Sequence, residues 1–252
     1  MSDKSETVLR ADGLVKRFGR VTAVRDASFS TEAGMLFSLL GVNGAGKTTT
    51  IRMLTGLLRP DEGHAELCGC PSGSPEAARM IGLSPQETST AGNLTVRENL
   101  ILTAKLYGFR DAVRRADNII ERLGLNDYAN RRSKLLSGGL RRRLSIGMGI
   151  VTEPKVLFLD EPTLGLDVLA RRELWRFVEE LKQSMTVVLT THYMEEAERL
   201  SDKIAVMADG SVKAAGTLAE LREISGCVPD ASLETVFIRL TIGQSAEGGI
   251  RA

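Results

Sequence analysis

The feature that most constrains this chain is Gly41-Val-Asn-Gly-Ala-Gly-Lys-Thr48, set directly behind Met35–Leu40, a run that is apolar apart from Ser38. Such a run reads as a strand buried on both faces, and a strand of that kind needs a layer of structure on either side. The glycines behind it let the backbone curl with its N–H groups pointing inward and no Cβ in the way, which is how a loop cradles a phosphate. From there Lys47 reaches the β and γ phosphates, and the Thr48 hydroxyl is placed to ligate Mg²⁺. A helix is expected over Thr49–Leu58, its positive end at the phosphates. G-x-x-x-x-G-K-[ST] at a strand exit thus predicts a nucleoside triphosphate site built from Asn43, Gly44, Ala45, Gly46, Lys47, Thr48 and Thr49.

The chain of 252 residues is long enough for one large domain or two small ones. A net charge of +1 announces neither a nucleic acid nor an anionic membrane as partner. Met1–Arg10 is polar with no apolar core of a signal peptide, and no stretch approaches the ~20 apolar residues of a membrane span. The expectation is a protein soluble by itself and intracellular. Cys68, Cys70 and Cys227 are an odd number, which argues against a disulfide framework and fits a reducing compartment. Cys68-x-Cys70 near His64 lacks the second ligand pair of a zinc site, so Leu67–Cys70 reads as a strand end, with metal binding second.

Short strand-like runs at Thr7–Leu14 and Thr22–Ser30 suggest antiparallel structure broken at Asp12-Gly13 and Phe18-Gly19. Further strands are expected at His64–Gly69, Ile81–Ser84, Val156–Leu159 and Thr186–Thr190, and a hairpin at Lys203–Met207 and Ser211–Ala215 around Asp209-Gly210. Between Asn99 and Leu136 the chain is charged and poor in β-branched runs, which predicts a helical insertion of about forty residues. Ala170–Leu181 carries a helical apolar face, and Trp175 reads as core packing on it. Strands alternating with helices predict a mostly parallel sheet.

Val156–Leu159 runs into Asp160-Glu161, two acids at the carboxyl end of a strand, where open α/β sheets place their ligands. Asp160 can reach Mg²⁺ there, directly or through water, and Glu161 can polarise a water that attacks the γ-phosphate. Shortly before comes Leu136-Ser137-Gly138-Gly139. Ser137 is suited to cap a helix over Leu140–Ile150, and the glycines let a further phosphate approach its start.

In this order the segments resemble the ATP-binding cassette (ABC) family, over about Val8 to Ala215. Leu136–Gly139 looks like the family's signature motif, normally Leu-Ser-Gly-Gly-Gln, with Leu140 in the last place. The resemblance implies that Gln86 contacts Mg²⁺ and links the ATP site to the helical insertion. It implies that His192 contacts the γ-phosphate, that Phe18 stacks on adenine, and that Asp167, in Leu164-Gly-Leu-Asp167, speaks across a dimer. Thr48, Gln86 and Asp160 become the metal set, and Lys47, Gln86, Glu161 and His192 the catalytic set. The implied fold is α/β: a P-loop NTPase core with a mostly parallel sheet, an antiparallel β subdomain and an inserted α-helical subdomain. One nucleotide-binding domain is expected over 1–252, with the insertion over about 87–150 and a helical tail over about 217–252.

The same resemblance implies two cassettes meeting head to tail, each ATP and Mg²⁺ held by one chain's phosphate loop and the other's Ser137, Gly138 and Gly139. A homodimer fits, and a heterodimer with another cassette stays open. Separate membrane permease subunits are implied as partners, at the cytoplasmic side of a membrane, with no nucleic acid. Ser137-Gly-Gly-Leu-Arg-Arg-Arg-Leu144 and the tail Ser232–Thr241 look like the exporter branch. Arg141-Arg142-Arg143 reads as a solvated helix face with ion pairs. Two further classes stay open: a soluble ATPase acting on DNA or ribosomes, and a non-transport assembly factor. Against the first, no sustained heptads separate the phosphate loop from the signature, and the chain has one cassette.

Overall fold

The computed structural model describes residues 6–242. It opens with β1 (Thr7–Phe18) and β2 (Val21–Glu32), an antiparallel hairpin turning at Gly19-Arg20. Asp12-Gly13, expected to break the first strand, is instead absorbed by an irregularity where the register slips between Ala11 and Leu14. β3 (Leu36–Leu40) leads through the glycine loop into α1 (Lys47–Leu54). That helix starts two residues before the expected Thr49 and stops four short of Leu58.

β4 (Glu62–Leu67) and β5 (Cys70–Pro71) form a small hairpin with Cys68 and Gly69 at its turn. α2 (Pro75–Arg79), capped by Ser74, leads to β6 (Ile81–Ser84). The helical insertion follows as α3 (Val96–Leu106), α4 (Ala112–Arg122) and α5 (Gly138–Ile150). Thr95 and Glu98 form a reciprocal capping box that starts α3. Then come β7 (Val156–Asp160), α6 (Val168–Leu181), β8 (Thr186–Thr191) and α7 (Met194–Leu200). β9 (Lys203–Ala208) and β10 (Ser211–Gly216) make the expected hairpin. α8 (Leu218–Ile224) and α9 (Leu233–Thr241) are helices of the expected tail, and its remainder lies outside the described residues.

The strands join in the order β5-β4-β1-β2-β10-β9-β3-β8-β7-β6. From β9 to β6 every pairing is parallel, and from β5 to β2 every pairing is antiparallel. β3, β7 and β8 are buried at every position, which explains why their sequences are mostly apolar without regular alternation, their few polar residues (Ser38, Asp160 and the β8 threonines) being buried too. Their side chains still alternate between two layers. Leu157, Leu159, Val187 and Leu189 pack with the inserted helices and α6, while Phe37, Leu39, Phe158 and Val188 pack with α1 and the antiparallel strands. Truncating one of these leucines to alanine is expected to cost about 2–5 kcal/mol. The layered α/β sheet thus carries the ends of β3, β7 and β8 to one edge, and the site lies there.

Candidate functional site

The loop between β3 and α1 is shaped by close backbone contact. A Cβ on Gly41 would stand 2.4 Å from Met207 O. At Gly46, with φ 101°, it would stand 2.6 Å from Ala23 O, so both positions admit glycine alone without movement. Ala45 is buried, its N–H on Val42 O at 3.2 Å, while Asn43 and Gly44 are exposed. Lys47 is buried at the first turn of α1. Its ammonium donates to Gly41 O at 2.8 Å and Val42 O at 3.2 Å, and lies 3.0 Å from Glu161 Oε1.

Asp160 closes β7, and Glu161 follows with φ 48°, a left-handed conformation uncommon outside glycine. Hydrogen bonds hold this turn. The Glu161 N–H donates to Thr190 Oγ1 at 2.9 Å, and that hydroxyl donates to Asp160 Oδ1 at 2.6 Å. Thr48 Oγ1 donates to the same Asp160 oxygen at 3.1 Å. The second carboxylate oxygen of Glu161 meets His192 Nδ1 at 2.8 Å. Lys47 and His192 therefore grip one carboxylate from two sides.

Asn43, Gly44, Gly46, Lys47, Thr48, Thr49, Gln86 and Glu161 line a single cleft of about 440 Å³, together with Ala23 and Leu164. Ala45 stands behind the loop, and Asp160 and His192 join through Thr48 and Glu161. Thr48, Asp160 and the Gln86 amide offer hard oxygen donors, a set that fits Mg²⁺.

Other predicted residues lie outside that cleft. Phe18 is half exposed at the end of β1, with the Lys16 ammonium 5.8 Å from its ring centroid. Ser137 caps α5 by accepting from Leu140 N–H at 3.3 Å, and a Cβ on Gly138 would meet nothing. Gly139 faces Ala170 and Leu166, and Asp167 caps α6 through Ala170 N–H at 2.9 Å. Leu140, in place of the usual glutamine, packs partly buried against the core under the inserted helices.

The arginine run departs from expectation. Arg143 pairs with Glu173, but Arg142 is buried and not solvated. Its guanidinium donates to Pro85 O at 2.7 Å, Gln86 O at 2.8 Å and Glu161 O at 3.3 Å. The reason is its helical face. Arg142 shares α5's inner side with Ser145, whose hydroxyl meets Ser84 Oγ at 2.9 Å, and with Gly149, which packs on Leu83 and Leu157. That stripe of small residues three and seven positions on is the signal that could have singled Arg142 out. Sequence reasoning also missed Thr190 as a carboxylate partner, and Glu196, which is buried and accepts from Trp175 Nε1–H at 2.9 Å. Trp175 is core packing as expected, with this added bond.

Among the described residues, no helix is long and apolar enough to cross a membrane. Residues 24–164 match the family described as ABC transporter. The Nod factor export ATP-binding protein I of Ralstonia nicotianae is 42% identical over 222 residues, 86% of this chain and 69% of that protein. The daunorubicin/doxorubicin resistance ATP-binding protein DrrA of Streptomyces peucetius is 42% identical over 231 residues, 90% of this chain and 70% of that protein. A solved structure described as the ATP binding subunit of an ABC transporter has a TM-score of 0.83 at 30% identity, covering 93% of this chain and 99% of that one. Fold, phosphate loop and relatives agree, and the chain belongs to the ABC transporter family as an ATP-binding, ATP-hydrolysing subunit that drives transport.

Proposed function

We propose that this subunit powers export through separate membrane subunits, acting as an ATP-driven head-to-tail pair of cassettes at the cytoplasmic face. The observation that carries the proposal is the separation of its two phosphate-binding elements. Lys47, Thr48, Gln86 and Glu161 share one cleft, whereas Ser137 and Gly138 are exposed elsewhere, free to meet a triphosphate held by a second chain. Export relatives such as the Nod factor and daunorubicin proteins support the direction of transport.

In this mechanism Lys47 and the loop N–H groups bind the β and γ phosphates, and Phe18 lies against the base. Thr48, Asp160 and Gln86 would hold Mg²⁺, which neutralises phosphate charge when bound. Glu161 accepts a proton from the attacking water, and His192 holds that carboxylate in place and reaches toward the γ-phosphate. Ser137, Gly138 and Gly139 of the second chain close over the phosphates, so that water is excluded and hydrolysis depends on pairing. Asp167, at the head of α6, links one site to the other.

Light scattering on Glu161→Gln with Mg²⁺ and ATP tests this. A stable ATP-dependent dimer is expected, abolished by adding Ser137→Arg. A trapped species that remains monomeric, or a dimer indifferent to Ser137→Arg, would overturn the paired site.

A further inference from the structure

Arg142 is a cation in the interior, 5% exposed, and its hydrogen-bond acceptors are backbone carbonyls from two separate turns. Pro85 O and Gln86 O belong to the segment leaving β6, which carries Gln86 into the cleft. Glu161 O belongs to the left-handed turn leaving β7. Burial pushes the guanidinium's pKa down while the charges of Asp160 and Glu161 hold it up. A planar fork with five donors suits three divergent carbonyls, and an ammonium does not. The helix that bears this fork is capped by Ser137.

We propose that Arg142 is a positioning residue for ATP hydrolysis. It locks the signature helix, the Gln86 segment and the Glu161 turn into one body, so that the Ser137 end of α5 and the water-activating carboxylate move together. The proposal rests on the roles given above to Gln86 and Glu161. A solvated helix face would leave Arg142 replaceable, and a left-handed glutamate needs surroundings that hold it there.

The test compares turnover and ATP affinity of the full chain for Arg142→Met, Arg142→Lys and Lys47→Ala. Arg142→Met is expected to lower kcat at least tenfold, and Arg142→Lys at least threefold, with Kd for ATP within threefold of wild type in both. Smaller losses of kcat overturn the inference. So does a parallel loss of affinity in Arg142→Lys, which marks a general structural role. If Arg142→Met does not fold, Arg142→Lys decides alone on the same thresholds. Lys47→Ala separates the two levels. Undiminished ATP affinity there removes the underlying site and the inference with it, whereas lost affinity alongside wild-type turnover in the Arg142 variants removes the inference alone.

Discussion

The Lys47 ammonium lies 3.0 Å from Glu161 Oε1, and each side chain is only 6% exposed. The lysine proposed to bind phosphate thus neutralises the carboxylate proposed to activate water. On the proposed mechanism, a triphosphate that draws Lys47 toward itself would free Glu161 to act as the base, with His192 still on the other oxygen. Glu161→Gln is expected to lower kcat by about 10²–10⁴, the usual weight of a general base. Steady-state turnover measures it, and a loss below threefold would remove Glu161 from that role.

The same pair predicts a stability effect. Lys47→Ala orphans a buried carboxylate, a loss of roughly 3–5 kcal/mol when no partner remains. His192 remains here, so about 2–3 kcal/mol is expected. Urea unfolding of the variant measures it, and Lys47→Ala with Glu161→Gln should recover part of the loss. If the double variant is no more stable than Lys47→Ala alone, the pair is not coupled.

Gly46→Ala places a Cβ 2.6 Å from Ala23 O at φ 101°. Steric overlap and backbone strain together should cost about 2–4 kcal/mol and move the phosphate loop. ATP binding by calorimetry is expected to weaken at least tenfold. Wild-type affinity and melting temperature would show that the loop tolerates the methyl group.

Glu196 gives a pH prediction. Burial holds its carboxyl above the ordinary glutamate value of 4.5. Below pH 4.5 folded and unfolded chains both keep the proton, and the contribution to stability is full. As pH rises the unfolded chain ionises first, so stability falls until pH passes the raised folded value. Glu196→Gln cannot ionise. Its unfolding free energy relative to wild type should climb from about pH 4.5 by up to about 1.4 kcal/mol per pH unit, then level. Trp175, the chain's single tryptophan and the donor to Glu196, reports the unfolding by fluorescence. A difference that stays flat from pH 4 to 9 would count against a protonated Glu196.

Ser137 and Asp167 each cap a helix. Ser137→Ala and Asp167→Ala should each cost about 1 kcal/mol of stability. If Ser137 also serves the second chain's ATP, its variant should lose turnover in excess of that modest effect, with ATP affinity of the single chain unchanged. Parallel small losses in both variants would leave Ser137 a cap and nothing more.

The buried strands were legible because full burial writes itself as an apolar run, and the phosphate loop because its glycines answer to close contacts at Ala23 and Met207. α7 was not anticipated: Met-Glu-Glu-Ala-Glu-Arg-Leu reads as surface, and its inward Glu196 is stabilised by Trp175, a partner 21 residues away. Arg142 reads as solvated because neighbouring arginines suggest a charged surface; the small residues Ser145 and Gly149 hint at an inner face, and the packing of α5 on β6 establishes it. Gln86 and Lys47 are 39 positions apart yet line one cleft, a proximity that rested on resemblance before the sheet order explained it.

Among the described residues the ten strands form one sheet, yet between β2 and β10 the ladder shrinks to a single register pair, Asp26 with Ser211, beside the bond from Arg25 N–H to Gly210 O at 2.7 Å. Ala23 lies at this seam, touching both the phosphate loop and Gly210. A triphosphate seated on that loop would lie against Ala23, beside the seam where the antiparallel and parallel parts of the sheet share their fewest register pairs, and would bridge the two like a rivet.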